Sequence, residues 1–211
     1  MSARGRAARA KIGIFGGTFD PIHTGHMAVA RAALRRFRLD RIYFVPSGQP
    51  PHKPDRQPTP FLHRYTMVAL ACAGEPRFAP SLLEAGPGLD GRQRSYSIDT
   101  LRRMRRQYPR ARLCFILGAD QFLTLPTWKE YRRMTKLCEF IVASRPGFRL
   151  SARDAARIAP ATPVHRLTTV QASVSSTAIR RRAQQGRSLR GTVPPAVEDY
   201  IRSVGLYTRS R

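Results

Sequence analysis

The chain contains little cysteine: three residues in 211, Cys72, Cys114 and Cys138. Their spacing matches no pattern of zinc ligands and each stands in an apolar stretch, which indicates reduced core residues of a cytoplasmic protein. No apolar run approaches the roughly 18 residues that a membrane-spanning helix needs, so we predict no membrane partner. The basic N-terminus has no apolar segment behind it, which argues against a secretory signal.

Acidic residues and lysine are also scarce. There are 13 acidic and 38 basic residues, a net charge of +25, yet the lysines are only Lys11, Lys53, Lys129 and Lys136. Such a charge is typical of nucleic-acid-binding proteins. Because arginine, alanine and proline are plentiful throughout, we attribute most arginines to a GC-rich genome and predict no nucleic-acid partner. In this setting Lys53 stands out as a position that requires a compact ammonium group.

Short β-rich runs alternate with helical patterns behind a polar segment, residues 1–10, which we expect to be a disordered tail. We predict a single domain over residues 11–208. The predicted strands are 12–16, 42–45, 112–117, 138–143 and 164–168, and the predicted helices are 26–38, 61–73, 97–107, 127–136, 151–158, 176–185 and 195–204. Nearly continuous apolar strands between helices are typical of a parallel sheet covered on both faces. The predicted fold class is therefore α/β, doubly wound and Rossmann-like, with ligands at the carboxyl ends of the strands.

Residues 12–26, IGIFGGTFDPIHTGH, combine a strand, a glycine turn and the start of a helix. Gly16 and Gly17 allow the backbone to approach a ligand closely, and free N–H groups at the helix start are expected to face an anion. His23 and His26 add donors that bind phosphate oxygens without needing full charge. A glycine pair alone is usually a tight turn, and a lone histidine is usually a surface or core residue. Their combination in one short segment indicates a nucleotide site.

A second candidate anion site lies at residues 174–180, VSSTAIR, where another helix is predicted to begin. An ordinary N-cap needs one hydroxyl, whereas this segment has Ser175, Ser176 and Thr177 in a row, followed by Arg180. A helix N-terminus with a guanidinium beside it is suited to binding phosphate, with plain capping as the alternative. Asp20, in an Asp-Pro turn, is interpreted as shaping its loop rather than as a general base.

These segments carry a family resemblance. GGTFDPIHTGH resembles the signature of the HxGH nucleotidyltransferases, which transfer a nucleoside monophosphate from ATP or CTP onto a phosphate. The order and spacing of five further segments are similar to those of bacterial nicotinate-nucleotide adenylyltransferases, from about Lys11 to Tyr207. These segments are PSGQPPHKP (46–54), SYSIDTL (95–101), LGADQFLTLPTWKEY (117–131), SRPG (144–147) and VSSTAIR (174–180).

The resemblance implies roles for individual residues. ATP would lie against Gly16, Gly17, Thr18, Phe19, Gly25, Ser175, Ser176 and Thr177, with His23, His26, Lys53 and Arg180 around the reacting phosphates. The nicotinate nucleotide would lie near Asp20, Thr100, Gly118, Asp120, Trp128 and Arg145, with Trp128 stacked near the pyridine ring. The residues themselves leave plainer alternatives open: Asp120 as a helix N-cap, Trp128 as a core aromatic and Asp99 as a first-turn dipole partner.

The reaction that the resemblance implies is transfer of AMP from ATP to nicotinate mononucleotide, which gives nicotinate adenine dinucleotide and pyrophosphate. Few carboxylates lie in the motifs, so magnesium is expected to be held mainly by the phosphates of ATP and by water. Related alternatives are pantetheine-phosphate adenylyltransferases and cytidylyltransferases, which share the first segment; the Pro-Pro-His-Lys, tryptophan and Ser-Ser-Thr segments argue against them. Class I aminoacyl-tRNA synthetases are longer, and a non-catalytic nucleic-acid-binding protein lacks a supporting motif here. The sequence leaves the oligomeric state undecided.

Overall fold

The computed structural model describes residues 9–49, 57–144, 150–168 and 174–208. Within these residues the strands are β1 (Lys11–Gly17), β2 (Arg41–Pro46), β3 (Phe78–Pro80), β4 (Arg112–Gly118), β5 (Glu139–Ala143) and β6 (Val164–Leu167). The α-helices are α1 (Thr24–Arg36), α2 (Phe61–Cys72), α3 (Ser97–Gln107), α4 (Ala119–Leu123), α5 (Tyr131–Leu137), α6 (Ala152–Ile158), α7 (Ser176–Gln184) and α8 (Pro195–Val204), with a 3₁₀ turn at Leu125–Thr127.

All six strands form one parallel sheet in the order β3-β2-β1-β4-β5-β6. The chain therefore extends the sheet to one side of β1, returns to pair β4 with β1, and extends it to the other side. A crevice forms at such a reversal, outside the carboxyl ends of the two central strands. The predicted α/β, doubly wound fold is confirmed. Gly16 and Gly17 are the last two residues of β1 at this reversal, and the loop that leads to His23 and His26 follows them.

Apolar side chains on the two faces of the sheet form two buried clusters. In α1, Met27, Ala30 and Leu34 recur at steps of three and four residues, and all three are buried in the first cluster. The three cysteines are free and buried, as predicted, and burial raises the pKa of the Cys72 thiol to about 12. No helix in the described ranges combines the length and the apolar character needed to cross a membrane.

The predicted helix 127–136 is wrong in its first part. The chain instead makes the 3₁₀ turn at Leu125–Thr127, runs extended through Trp128, and starts α5 only at Tyr131. Glu130 has a φ of 51°, in the left-handed region, which no continuous α-helix contains. Strand β3 and helix α4 were not predicted, since three and five residues are too short to show a period.

Candidate active site

His23 and His26 form a reciprocal capping box at the start of α1. His23 is the N-cap residue, and its Nδ1 accepts a hydrogen bond from the backbone N–H of His26, with 3.3 Å between the nitrogens. In return, Nδ1 of His26 accepts from the backbone N–H of His23, also at 3.3 Å. A neutral imidazole whose Nδ1 accepts must hold its proton on Nε2. The local fold therefore sets both histidines as Nε2–H donors.

The two imidazoles are packed as one unit. Their rings are stacked, with centroids 3.6 Å apart and planes 24° from parallel. The buried ring of Phe19 meets His26 edge-on from 5.1 Å, so Phe19 supports the pair from the core. A Cβ at Gly17 would come within 3.1 Å of the Phe19 ring, closer than nearly all such contacts, so glycine suits this position. The sequence thus builds a rigid pair of donors on a glycine turn.

The start of α1 offers fewer free amides to an anion than the sequence predicted. The N–H of Thr24 donates to the carbonyl of Thr192 over 2.9 Å, and that of His26 is used in the capping box. Gly25 is buried between them on the first turn. The donors that distinguish this helix start are therefore the two imidazoles.

The N-terminus of α7 lies against the same loop. Ser175 caps the helix by accepting from the Ala178 N–H at 3.2 Å, and the Ser176 hydroxyl donates to the Pro21 carbonyl at 2.9 Å. Arg180 donates to the carbonyl of Asp20 and, over 3.0 Å, to the Thr177 hydroxyl. The two predicted anion sites are thus joined through residues 20 and 21, and each of the three predicted hydroxyls has a defined partner.

Asp20 is buried, with 3% of its surface exposed. Its Oδ1 accepts a hydrogen bond from the Tyr207 hydroxyl over 2.8 Å, and its Oδ2 lies 3.8 Å from Nη1 of Arg180. A carboxylate bound in this way links its loop to the C-terminal segment and to α7. Tyr207, near the C-terminus, was not singled out by the sequence, because a single tyrosine there carries no motif.

A pocket of about 430 Å³ opens beside the glycine turn. Gly16, Gly17 and Thr18 line one side of it, and Trp128 lines another. The Trp128 ring meets Phe115 edge-on at 6.3 Å, and the ammonium of Lys129 lies 4.2 Å from the centroid of the Tyr96 ring at the start of α3. The volume is in the range of sites for small organic ligands.

Two salt bridges hold the segment that contains Trp128. Arg102 of α3 donates to both carboxylate oxygens of Glu130, at 2.7 and 3.3 Å, and Arg133 donates to it at 2.6 Å. These hydrogen bonds, first of all that of Arg102, lower the pKa of Glu130. The left-handed turn that interrupts the predicted helix is thus bound to α3.

Thr100 is buried in the first turns of α3, and its hydroxyl donates to Oε1 of Glu84 at 2.5 Å. Glu84 also receives hydrogen bonds from Ser95 and from the N–H of Gly48, and it forms part of the pocket wall. Burial raises the pKa of Glu84, and these hydrogen bonds act against that rise. Thr100 stands behind the wall of the pocket, so its contact with nicotinate stays a prediction.

Arg64 is a buried residue of α2 that the sequence analysis did not identify; 2% of its surface is exposed. Nη1 donates to the carbonyls of Thr18 and Ser47 at 2.9 and 2.6 Å, and Nε donates to that of Thr59 at 2.7 Å. Desolvation by burial lowers its pKa. One guanidinium thus joins the glycine turn to both ends of the segment 47–59.

The remaining predicted residues lie apart from the pocket or outside the described ranges. Gly118 ends β4 and Asp120 is in the first turn of α4, both at the carboxyl edge of the sheet. Lys53 and Arg145 fall outside the described residues, as does most of the predicted tail. Among the residues that are described, no group of three or more histidine, cysteine or acidic side chains could hold a metal ion.

Comparison with known proteins identifies the family of this chain. The family model described as cytidylyltransferase-like matches residues 14–182. A relative from Moorella thermoacetica is 44% identical over 204 residues, which cover 93% of this chain and 91% of the relative. One from Thermus thermophilus is 45% identical over 197 residues, which cover 93% of this chain and 99% of the relative. Both are named "Probable nicotinate-nucleotide adenylyltransferase".

Solved structures show the same fold. A nicotinic acid mononucleotide adenylyltransferase from Plasmodium falciparum, in complex with NaAD, superposes with a TM-score of 0.79. It is 21% identical, and the match covers 94% of this chain and 98% of that one. Its complex with APC gives a TM-score of 0.76. At this identity the solved structures show the fold alone, whereas the more similar sequence relatives show the family. These relatives confirm the resemblance: the chain belongs to the nicotinate-nucleotide adenylyltransferase family of cytidylyltransferase-like proteins.

Proposed function

We propose that the crevice at the carboxyl edge of the sheet transfers AMP from ATP to nicotinate mononucleotide, giving nicotinate adenine dinucleotide and pyrophosphate for NAD synthesis. The family membership supports this reaction, since relatives more than 40% identical over nearly their whole length bear the name of that activity. The observation that carries the proposal is the reciprocal capping box of His23 and His26, which turns two neutral imidazoles into Nε2–H donors beside a glycine turn.

The transfer is a direct in-line displacement. A phosphate oxygen of the mononucleotide attacks the α-phosphorus of ATP, the new P–O bond forms as the bond to the bridging oxygen breaks, and pyrophosphate leaves with that electron pair. The attacking phosphate is already an anion at neutral pH, so no protein base is needed. Catalysis then consists of holding two polyanions together and stabilising the charge that develops on the α-phosphate and the leaving group.

The groups for this task come from both helix N-termini. The Nε2–H groups of His23 and His26 donate to the phosphates from the α1 side. Arg180, supported by Thr177 and by the Asp20 carbonyl, supplies positive charge from the α7 side. Lys53 adds a compact ammonium from the segment that Arg64 anchors at both ends. ATP lies along residues 16–19 and 25 and the hydroxyls of residues 175–177.

Magnesium would enter with ATP and be held by its phosphates and by water. The residues here support this, because the acidic side chain of this loop, Asp20, already has partners. The carboxylate of Asp20 is occupied by Tyr207 and lies beside Arg180. When bound, magnesium would act as a Lewis acid that stabilises negative charge on the phosphates of ATP.

The nicotinate nucleotide occupies the pocket of about 430 Å³ beside the glycine turn. The flat face of Trp128 there suits a pyridine ring. Gly118 and Asp120 are proposed to position the nucleotide from the end of β4, with Arg145 contacting its phosphate or base. Thr100 is proposed to act near the ring from the start of α3. The enzyme is proposed to work in the cytoplasm without a nucleic-acid partner.

The reaction is tested by supplying ATP and magnesium with nicotinate mononucleotide, its amide or phosphopantetheine, and measuring pyrophosphate and the dinucleotide. We expect one pyrophosphate for each dinucleotide formed, with nicotinate mononucleotide as the preferred acceptor. Preference for phosphopantetheine would overturn the assignment. Displacement is tested with one diastereomer of ATP in which sulfur replaces a non-bridging oxygen of the α-phosphate: a single in-line step inverts the configuration at the α-phosphorus, whereas retention would indicate a covalent intermediate.

A further inference from the structure

Tyr207 links the C-terminal segment, after α8, to the loop between β1 and α1 that contains Asp20. Its hydroxyl donates to Oδ1 of Asp20 over 2.8 Å, across 187 positions of the sequence. Asp20 in turn holds Arg180 twice, through its carbonyl and through a carboxylate oxygen 3.8 Å from Nη1. We propose that Tyr207 is a positioning residue for adenylyl transfer: by hydrogen-bonding Asp20, it keeps Arg180 directed towards the phosphates of ATP. This inference rests on the phosphate-binding role proposed for Arg180.

The distances around Asp20 show how the two partners share its carboxylate. Tyr207 makes a hydrogen bond of ordinary length to Oδ1, whereas the 3.8 Å between Arg180 and Oδ2 exceeds the roughly 2.7–2.9 Å of a tight charge-assisted contact. The guanidinium is thus near the carboxylate but not fully engaged by it. If Asp20 lost the tyrosine donor, its charge would draw Arg180 closer. A guanidinium bound bidentately to Asp20 could not contact a phosphate with the same N–H groups.

The local fold is built to place the Tyr207 hydroxyl at this point. Gly205, with a φ of 69°, ends α8, and the N–H of Leu206 turns back to the carbonyl of Ile201 at 3.0 Å. Tyr207 itself has a φ of 63°, in the left-handed region that non-glycine residues rarely adopt. This turn brings the ring back onto the apolar cluster around α1 and α8.

The environment keeps the hydroxyl protonated, so that it remains a donor. Burial, followed by the negative charge of Asp20, raises the pKa of Tyr207. Thr59 makes a further side-chain hydrogen bond with Tyr207, and its carbonyl accepts from Arg64. Tyr207 is therefore connected to both networks that shape the crevice, one through Asp20 and one through Thr59.

Removal of the hydroxyl alone tests the inference. In Tyr207→Phe we expect the KM for ATP to rise about five- to tenfold, as for a lost hydrogen bond to a charged group, and the KM for nicotinate mononucleotide to change less than about twofold. Tyr200→Phe is the matched control, because it removes the Tyr200 hydroxyl from Nδ1 of His63, 2.8 Å away, between α8 and α2. It should lower the melting temperature comparably and leave the KM for ATP unchanged. Equal effects of the two variants, or equal changes in both KM values for Tyr207→Phe, would overturn the inference.

A double-mutant cycle tests whether Tyr207 acts through Asp20. In an Asp20→Asn background, Tyr207→Phe should change the KM for ATP less than about twofold, because the carboxylate through which Tyr207 positions Arg180 is already gone. A full effect in that background would overturn the inference. Should Tyr207→Phe fail to fold, Asp20→Asn alone suffices, since an unchanged KM for ATP would contradict the link.

Arg180→Lys separates this inference from the function on which it rests. It should raise the KM for ATP by at least about tenfold, because lysine cannot reproduce the planar fork of donors. If Arg180→Lys has no effect, the phosphate-binding role of Arg180 is wrong and the inference is wrong with it. If only Tyr207→Phe has no effect, the proposed function stands and the inference does not.

Discussion

The imidazoles of His23 and His26 each accept, through Nδ1, a hydrogen bond from the other residue's backbone N–H. These two bonds join the histidines into one structural element. The capping box stabilises the start of α1, and the same bonds place the proton of each neutral imidazole on Nε2. In the proposed reaction, stability and catalysis would use opposite nitrogens and can therefore be separated by mutation.

His23 variants should show this separation. His23→Ala loses both the cap and the donor, so we expect about 1 kcal/mol less stability and kcat/KM lower by about 100-fold or more. His23→Asn restores a cap acceptor without an Nε2–H, so it should recover the melting temperature and stay inactive. The measurements are thermal unfolding and pyrophosphate release. A folded His23→Ala or His26→Ala protein that loses less than about tenfold in turnover would contradict the role in the transition state.

Trp128 is the only tryptophan, so its fluorescence reports on one site. Because its ring lines the pocket, we expect nicotinate mononucleotide to quench the emission with the same concentration dependence as turnover. Trp128→Ala should raise the KM for that nucleotide about tenfold, as for the loss of a stacked ring, and Trp128→Phe should raise it less. Emission that stays constant at saturating nucleotide would show that the pyridine ring binds elsewhere.

Arg64 should matter to activity beyond its effect on stability. Arg64→Met removes a buried donor to three carbonyls around the crevice, and hydrogen bonds to a charged group contribute about 1.5–3 kcal/mol each. We expect a large fall in melting temperature and, in the protein that remains folded, a fall in kcat/KM of at least about tenfold.

Arg105→Met is the matched control for Arg64→Met. Arg105 also donates to three carbonyls, those of Pro109, Ala111 and Leu137, but at the opposite edge of the sheet. The Arg105→Met protein should lose stability and keep the kcat/KM of wild type. If both variants lose activity to the same extent, Arg64 acts only on stability.

The raised pKa of Glu84 should make the stability of the folded protein fall as the pH rises. Its pKa is raised above the ordinary value of 4.5, so the folded state holds the proton more tightly than the unfolded state does. Its contribution is fully present below pH 4.5 and is lost as the pH rises through the folded-state pKa. Glu84→Gln does not titrate, so its melting temperature relative to wild type should rise between pH 4 and pH 8.

In Glu75→Gln the melting temperature relative to wild type should change with pH in the opposite direction. A hydrogen bond from Arg77 lowers the pKa of Glu75, so its contribution is present above the ordinary pKa and lost as the pH falls. Relative to wild type, the melting temperature of Glu75→Gln should therefore fall as the pH rises. Parallel slopes for the two variants would contradict the assignment at Glu84.

The sequence predicted the fold well because its signals are local. Apolar runs with glycine or proline at their ends located five strands, and the period of α1 located its buried face. The helix predicted at 127–136 failed at Glu130, whose left-handed backbone is stabilised by Arg102 from another element. No local pattern records that salt bridge.

The site was only partly predictable for the same reason. The glycine-histidine segment is contiguous, so its composition alone indicated a phosphate site. Arg64 is one of many arginines in the chain, and only its burial distinguishes it from the others. Tyr207 lies 187 positions from Asp20, and only the folded chain brings the two together. Hydrogen bonds between segments that are distant in the chain position the site, and such contacts produce no periodic pattern in the sequence.

The most direct test of the central claim is a crystal structure with nicotinate adenine dinucleotide bound. We expect a bridging phosphate about 3 Å from Nε2 of His23 or His26, and the pyridine ring against Trp128. Imidazoles turned away from the phosphates, or a dinucleotide bound outside the crevice between β1 and β4, would contradict it.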